Sequence, residues 1–266
     1  MGVLRRMNSV NKTLYIPLYG KAYVSRKGYF LKDSKAEEIW AAEGFALKGK
    51  ARSKWLAYYM GIRSAVFDQW VTRKMEEMPG AVVFHLGCGM DSRVLRVASQ
   101  GHLWIDVDFP AVMDERRRYF SPSPGYRMLA GDLRQTKWLE DLPENGDAIV
   151  VMEGVSMYLT REELQGLMEE LGQRFEKVAL LMDCYSLRAA RLSQLRNPVR
   201  QVGVTKVYGL DRPLELQRGG FVFDREHSMT PGEFIEELLG AERYIFQTLY
   251  AGKFAGKLYR LYEYRK

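Results

Sequence analysis

Histidine and cysteine are nearly missing from this chain, and acid is missing from its beginning. The 266 residues hold three histidines (His85, His102, His227) and two cysteines (Cys88, Cys184), with no CxxC or HxxxH spacing. Such a set does not supply the ligand clusters of a zinc site, and no metal centre is expected. Two cysteines far apart make no disulfide framework and point to a reducing, cytoplasmic setting. No apolar run reaches the length of a membrane span, so no membrane partner is expected either. The first acid is Asp33, preceded by Arg5, Arg6, Lys12, Lys21, Arg26, Lys27 and Lys32. That start, with a net charge of +7, fits a transit peptide or a nucleic-acid arm. Against both, Leu14–Leu18 and Tyr19–Tyr23 carry aromatics, proline and glycine in the pattern of a docked segment. Arg6 also stands where a myristoylation signal wants Ser or Thr. Beyond Asp33 the bases are interleaved with acids, as on a solvated surface, and no nucleic-acid partner is expected.

What is present is a globular composition, 47% hydrophobic and 27% charged, of a length for one large domain or one domain with a cap. Residues 1–80 read as helical after an irregular start. Ser34 and Glu37 form a capping box before a helix running toward Leu47. A longer helix, roughly Ser53–Met78, carries Trp55, Tyr58, Tyr59, Ile62, Val66 and Trp70 at helical spacing, which suits plain core packing. Pro79-Gly80 punctuates the entry into a region where strands and helices alternate. The strands are Ala81–Leu86, His102–Val107, Tyr126–Leu129, Asp147–Met152, Lys177–Met182, Phe221–Met229 and Lys257–Arg265. A helix opens at Pro110 and runs through Tyr119. Another follows the capping box Thr160/Glu163, and a third enters at Pro231. The expected fold is a wound α/β sheet.

The stretch Ala81–Asp108, AVVFHLGCGMDSRVLRVASQGHLWIDVD, carries the chemistry. A buried strand runs into Gly87-Cys88-Gly89, a turn where backbone can approach a ligand closely. Asp91 and Ser92 can cap the helix that follows. Asp106 and Asp108 lie about twenty residues beyond the glycines, where an acid meets a ribose diol. The glycines alone fit an ordinary strand-to-helix turn equally well. A dinucleotide site prefers a third glycine, and here Asp91 stands in that stretch, where its charge opposes a pyrophosphate. S-adenosylmethionine has no phosphate and carries a cation, so it tolerates the acid. Successive strand ends bear Gly87 and Gly89, Asp108, Asp132, Glu153 and Asp183. Ribose, amine and ammonium groups all want such acceptors.

LGCGMDSR at Leu86–Arg93, DVDFP at Asp106–Pro110, GDLR at Gly131–Arg134 and EGVSMYL at Glu153–Leu159 resemble the motif series of the leucine carboxyl methyltransferase family. The start Thr13–Arg26 and the ending LYRLYEY are similar to its bacterial small-molecule branch, typified by the tetracenomycin polyketide enzyme. The resemblance implies a class I S-adenosylmethionine-dependent methyltransferase fold. Its Rossmann-like sheet is mostly parallel with an antiparallel C-terminal strand, and an N-terminal helical cap precedes it. Residues 1–80 would be the cap and cofactor clamp, and residues 81–266 the cofactor-binding domain. Carried over by motif, Lys21 and Arg63 clamp the methionine carboxylate and Gly87 makes the glycine-turn contact. Asp108 holds the ribose with Asp106 as the alternative, Asp132 and Leu133 flank the adenine, and Glu153 is the acid after the fourth strand. His85 departs from the acid many such enzymes carry there, and Ser186–Gly220 matches the family least.

Methyl transfer from a sulfonium is an in-line displacement that needs alignment and desolvation. An ionised carboxylate acceptor needs no base, whereas a phenol benefits from one. The candidates are His227, Asp183 and Tyr158, each with a bland structural alternative. The reading is an O-methyltransferase for a small organic acceptor. A protein C-terminal carboxyl methyltransferase like the phosphatase-directed enzymes is the alternative.

Overall fold

The computed structural model describes residues 14–43, 52–97, 101–140, 142, 146–196, 206–252 and 255–266. Three helices come first: α1 (Tyr15–Lys27), α2 (Ser34–Glu43) and α3 (Lys54–Glu77). Helix α1 forms where the sequence reads as irregular. Pro17 sits in the first turn, where its missing N–H has no intrahelical partner to lose. Gly20 is there for space, since a Cβ would lie 2.7 Å from Met60 Cβ on α3. The reciprocal contact is Gly61, whose Cβ would meet Val24 Cγ2 at 2.7 Å. The capping box at α2 does not form. Asp33 caps the helix instead, its Oδ1 accepting from the Ala36 N–H at 2.8 Å, while Ser25 takes the Glu37 carboxylate. The expected extension toward Leu47 lies outside the described residues, as do Arg5, Arg6 and Lys12.

The sheet then builds as β1 (Val82–Leu86), α4 (Arg93–Arg96), β2 (Trp104–Asp108), α5 (Pro110–Arg116), β3 (Tyr126–Ala130), β4 (Asp147–Met152), α6 (Arg161–Arg174) and β5 (Lys177–Tyr185). It closes with α7 (Leu187–Arg196), β6 (Val222–His227), α8 (Gly232–Glu237), α9 (Gly240–Leu249) and β7 (Tyr259–Arg265). Strand order is β3-β2-β1-β4-β5-β7-β6. Neighbours run parallel from β3 to β5, and β7 is antiparallel to both β5 and β6. The expected mostly parallel sheet with one antiparallel C-terminal strand is therefore what forms. The strands are apolar on both sides because both faces are covered. Val83, Ile149, Val151 and Leu181 pack with α1 and α3, whereas Phe84, Val150, Leu180 and Tyr264 pack with α6.

Several boundaries differ from expectation. Helix α5 ends at Arg116, and the single helix expected from Pro231 is two, α8 and α9. The capping box of α6 forms as read, with Thr160 Oγ1 accepting from the Glu163 N–H. Strand β5 continues past Met182 because β7 pairs along it, placing Asp183 opposite Leu261. Asp183 thus lies inside a strand rather than at its end.

Candidate functional site

The order reverses between β1 and β4, which opens a crevice at the carboxyl ends of the strands. A cleft of about 850 Å³ occupies it, walled by the ends of β1 to β5, by β7 and by α1, α3 and α7. Its two halves differ. The ends of β1, β2 and β3 supply Gly87, Gly89, Asp108, Asp132 and Leu133, while β4, β5 and β7 lead to Tyr158, Tyr185 and Tyr259.

On the first side, β1 turns sharply at Gly87, φ +67°, where a Cβ would fall 2.2 Å from Val155 Cγ2. The Gly89 N–H donates to Asp108 Oδ2 at 2.8 Å and the Phe109 N–H to Oδ1 at 2.7 Å. Burial pushes the Asp108 carboxyl up to about 6, against the pull of those two N–H donors. Asp132 is bonded by Arg134, with Nε at 2.8 Å from Oδ1, which holds its carboxyl below the ordinary range.

The centre of the cleft is a buried lattice of charge. Lys21 lies 2.9 Å from Asp91 and 3.9 Å from Glu153. Arg63 donates through Nε to Glu153 at 3.1 Å and through one terminal nitrogen to Asp183 at 3.0 Å and the Tyr259 hydroxyl at 2.9 Å. Arg93, fully buried, bonds Glu153, Asp68 and Ser64. Burial alone would raise the Glu153 carboxyl, but Lys21, Arg63 and Arg93 outweigh it and hold it below the usual range. Asp91 is likewise neutralised by Lys21, Arg93 and Arg96. It presents no bare charge to a phosphate, so the sequence argument against a pyrophosphate loses its force. Asp91 also caps α4, accepting from the Arg93 N–H at 3.0 Å.

Lys21, Arg63, Gly87, Gly89, Asp108, Asp132, Leu133, Glu153 and Tyr158 all line this one cleft. Three candidates do not. Asp106 is fully buried below it, holding Arg116, the Trp104 indole at 2.9 Å and the Tyr126 hydroxyl at 2.6 Å. Asp183 is also fully buried, orienting Arg63 from behind. His227 stands on β6 paired with Glu263, at 2.5 Å, away from the cleft wall. His85 borders the cleft but is buried, its ring 3.2 Å from Arg93, and burial pushes its pKa down to about 4. The sequence reading missed Arg93, Tyr59, Tyr185 and Tyr259. Arg93 lies within LGCGMDSR and Tyr259 within LYRLYEY, so both motifs held them without showing their roles.

The sequence model of the leucine carboxyl methyltransferase family matches residues 10–172. The chain belongs to that family. It is 30% identical over 252 residues to the tetracenomycin polyketide synthesis O-methyltransferase TcmP of Streptomyces glaucescens, covering 92% of each chain. It is also 30% identical over 183 residues to the S-adenosyl-L-methionine-dependent methyltransferase dpfgK of Gibberella zeae, covering 63% of this chain and 61% of that one. In fold it is similar to magnesium protoporphyrin IX methyltransferase from Synechocystis, solved with bound S-adenosylhomocysteine. The TM-score is 0.51 at 14% identity, covering 88% of this chain and 93% of that chain. Family and fold make this protein a class I methyltransferase, with S-adenosylmethionine as its cofactor.

Proposed function

We propose that the enzyme methylates an oxygen of a small, polyketide-like organic acceptor, and that this oxygen, on a carboxylate or acidic hydroxyl, arrives already ionised. The observation that carries this is the state of the bases on the cleft wall. Among the described residues, each carboxylate there already accepts a bond: Asp91, Asp132 and Glu153 from cations, Asp108 from two backbone N–H groups. His85 is held neutral by burial and by Arg93. Among the described residues, neither these paired carboxylates nor the weakly basic His85 is suited to take a proton from a phenol of ordinary pKa, about 10.

The same walls suit the cofactor. Its methionine end is a zwitterion, and Lys21 and Arg63 alternate there with Asp91 and Glu153. Asp108, lightly bonded and near the end of β2, is the acceptor for ribose hydroxyls. Gly87 and Gly89 let the backbone approach, and Asp132 and Leu133 border the adenine. When bound, the cofactor supplies an electrophilic methyl on a sulfonium. The protein's own work is to align the acceptor and exclude water, worth on the order of several kcal/mol. Helices α1 to α3 act as the cap that brings Lys21 and Arg63 to the sheet. No described helix is long and apolar enough to cross a membrane, which suits a cytoplasmic enzyme acting on a dissolved acceptor.

Incubation with methyl-labelled S-adenosylmethionine and a panel of organic acids and phenols tests this reading. Label should move to oxygen, with a rate nearly flat from pH 6 to about pH 8 for a carboxylate acceptor. Mild alkali releases label from a methyl ester but not from an ether. Label on nitrogen, or a rate rising with the pKa of an unassisted phenol, would overturn the reading.

A further inference from the structure

We propose that Tyr59, Tyr158 and Tyr185 form a three-donor site that receives an anionic oxygen of the methyl acceptor. The proposal rests on the O-methyltransferase reading and assigns the acceptor's side of the cleft.

All three tyrosines line the cleft and are partly buried. They come from three elements. Tyr59 lies one helical turn before Arg63 on α3, Tyr158 ends the 3-10 turn after β4, and Tyr185 ends β5. Tyr59 and Tyr185 flank Tyr259, and Tyr158 lies close enough to Tyr185 to interact with it. The Tyr59 ring stacks on Tyr259 at 6.1 Å between centroids, and the Tyr185 ring lies 5.0 Å from Tyr259, tilted by 58°. Tyr259 itself is occupied, because its hydroxyl donates to Asp183 and accepts from Arg63. The other three hydroxyls have no hydrogen-bond partner among the described residues.

None of the three hydroxyls is fully buried; each opens into the cleft and is free to donate to a ligand with acceptor atoms. Their chemistry allows one role. Burial raises the pKa of each, with the nearby Asp183 adding to it, so each stays a protonated donor at neutral pH. Tyr158 is thus not the base that its position suggests. Among the described residues, no carboxylate from this half of the cleft competes for the donors, since Asp183 lies below its surface and is paired. Around the phenols stand Leu56, Met60, Met157 and Leu192. Apolar walls, tyrosine rings and a cluster of O–H donors fit a planar aromatic body carrying an anionic oxygen.

The probe is 2-naphthoate, titrated calorimetrically into the full chain saturated with S-adenosylhomocysteine, with uncharged 2-naphthamide as control. The acid should bind and the amide should bind more weakly. Tyr59→Phe, Tyr158→Phe and Tyr185→Phe should each weaken naphthoate roughly tenfold, as for a hydrogen bond to a charged group. Affinity for S-adenosylhomocysteine should not change. The melting temperature should not fall either, because the deleted hydroxyls bond nothing in the protein. A merely structural role predicts the reverse pattern, with lost stability and unaltered preference for the acid. The proposal is overturned if acid and amide bind alike, if neither binds while S-adenosylhomocysteine does, or if all three variants match the wild type. Failure of the wild type to bind S-adenosylhomocysteine would instead overturn the cofactor site itself.

Discussion

Asp106 and Asp108 differ by two positions on one strand and do different work. Asp106 is sealed against the buried Arg116 guanidinium, whereas Asp108 meets the cleft and two backbone N–H groups. Asp106→Ala strands a buried cation and should cost about 3–5 kcal/mol of stability. Asp108→Ala should leave the fold largely intact and weaken S-adenosylhomocysteine by about 1.5–3 kcal/mol, the worth of a charge-assisted bond. Thermal melts and calorimetry on the pair separate the two effects, and equal cofactor loss in both would contradict the assignment. A pH dependence follows. The Asp108 carboxyl titrates near 6, pushed up by burial. A ribose hydroxyl donates to the ionised form, so cofactor affinity should fall as pH drops below about 6. In Asp108→Asn that dependence should vanish. The sequence put Asp108 first and Asp106 as the alternative only because Asp108 lies nearer the carboxyl end of the strand; it could not show Arg116, which arrives from α5 and ties Asp106 up below the cleft.

Helix α1 carries Lys21 to the cleft, and its position depends on two glycines. Gly20 and Gly61 let α1 and α3 approach until a Cβ at either would lie 2.7 Å from a neighbour's side chain. Gly61→Leu should force the pair apart, costing about 1–3 kcal/mol by overpacking. By displacing Lys21 it should also weaken cofactor binding. A variant that melts lower but binds S-adenosylhomocysteine normally would break that link. This helix was illegible in the sequence because proline and glycine read as loop residues, and their tolerance comes from the first-turn position and the α3 contact. Strand β1, its glycine turn and the ends of β2 to β4 were legible, because unbroken apolar runs closed by Gly or Asp are local signals. The length of β5 was not, because β7, nearly eighty residues further on, extends it. Asp183 was misplaced for that reason alone.

Over the whole molecule, acids held by cations join the helices to the sheet. Glu263 on β7 bonds His227 on β6 and lies 3.0 Å from Lys74 on α3. Burial would raise its carboxyl, but those partners pull it down to about 2. A lowered acid stabilises the fold above its unfolded pKa, and that share is lost as pH falls toward the folded value. Denaturant titrations should therefore show stability falling between pH about 4.5 and about 2, and falling less in Glu263→Gln. An equal decline in both would show that other acids dominate. His227 thus acts as a rivet between two strands and not as a base. The charge lattice at the cleft has another property. Arg63 is held by Glu153 toward the glycine turn and by Asp183 and Tyr259 toward the tyrosines. If the cofactor and acceptor occupy the proposed sites, one guanidinium borders both, so a change in its partners on one side should alter what it offers on the other. Linkage requires the resulting effect on affinity to be equal in both directions. On the proposed sites, cofactor and acceptor should be each other's effectors.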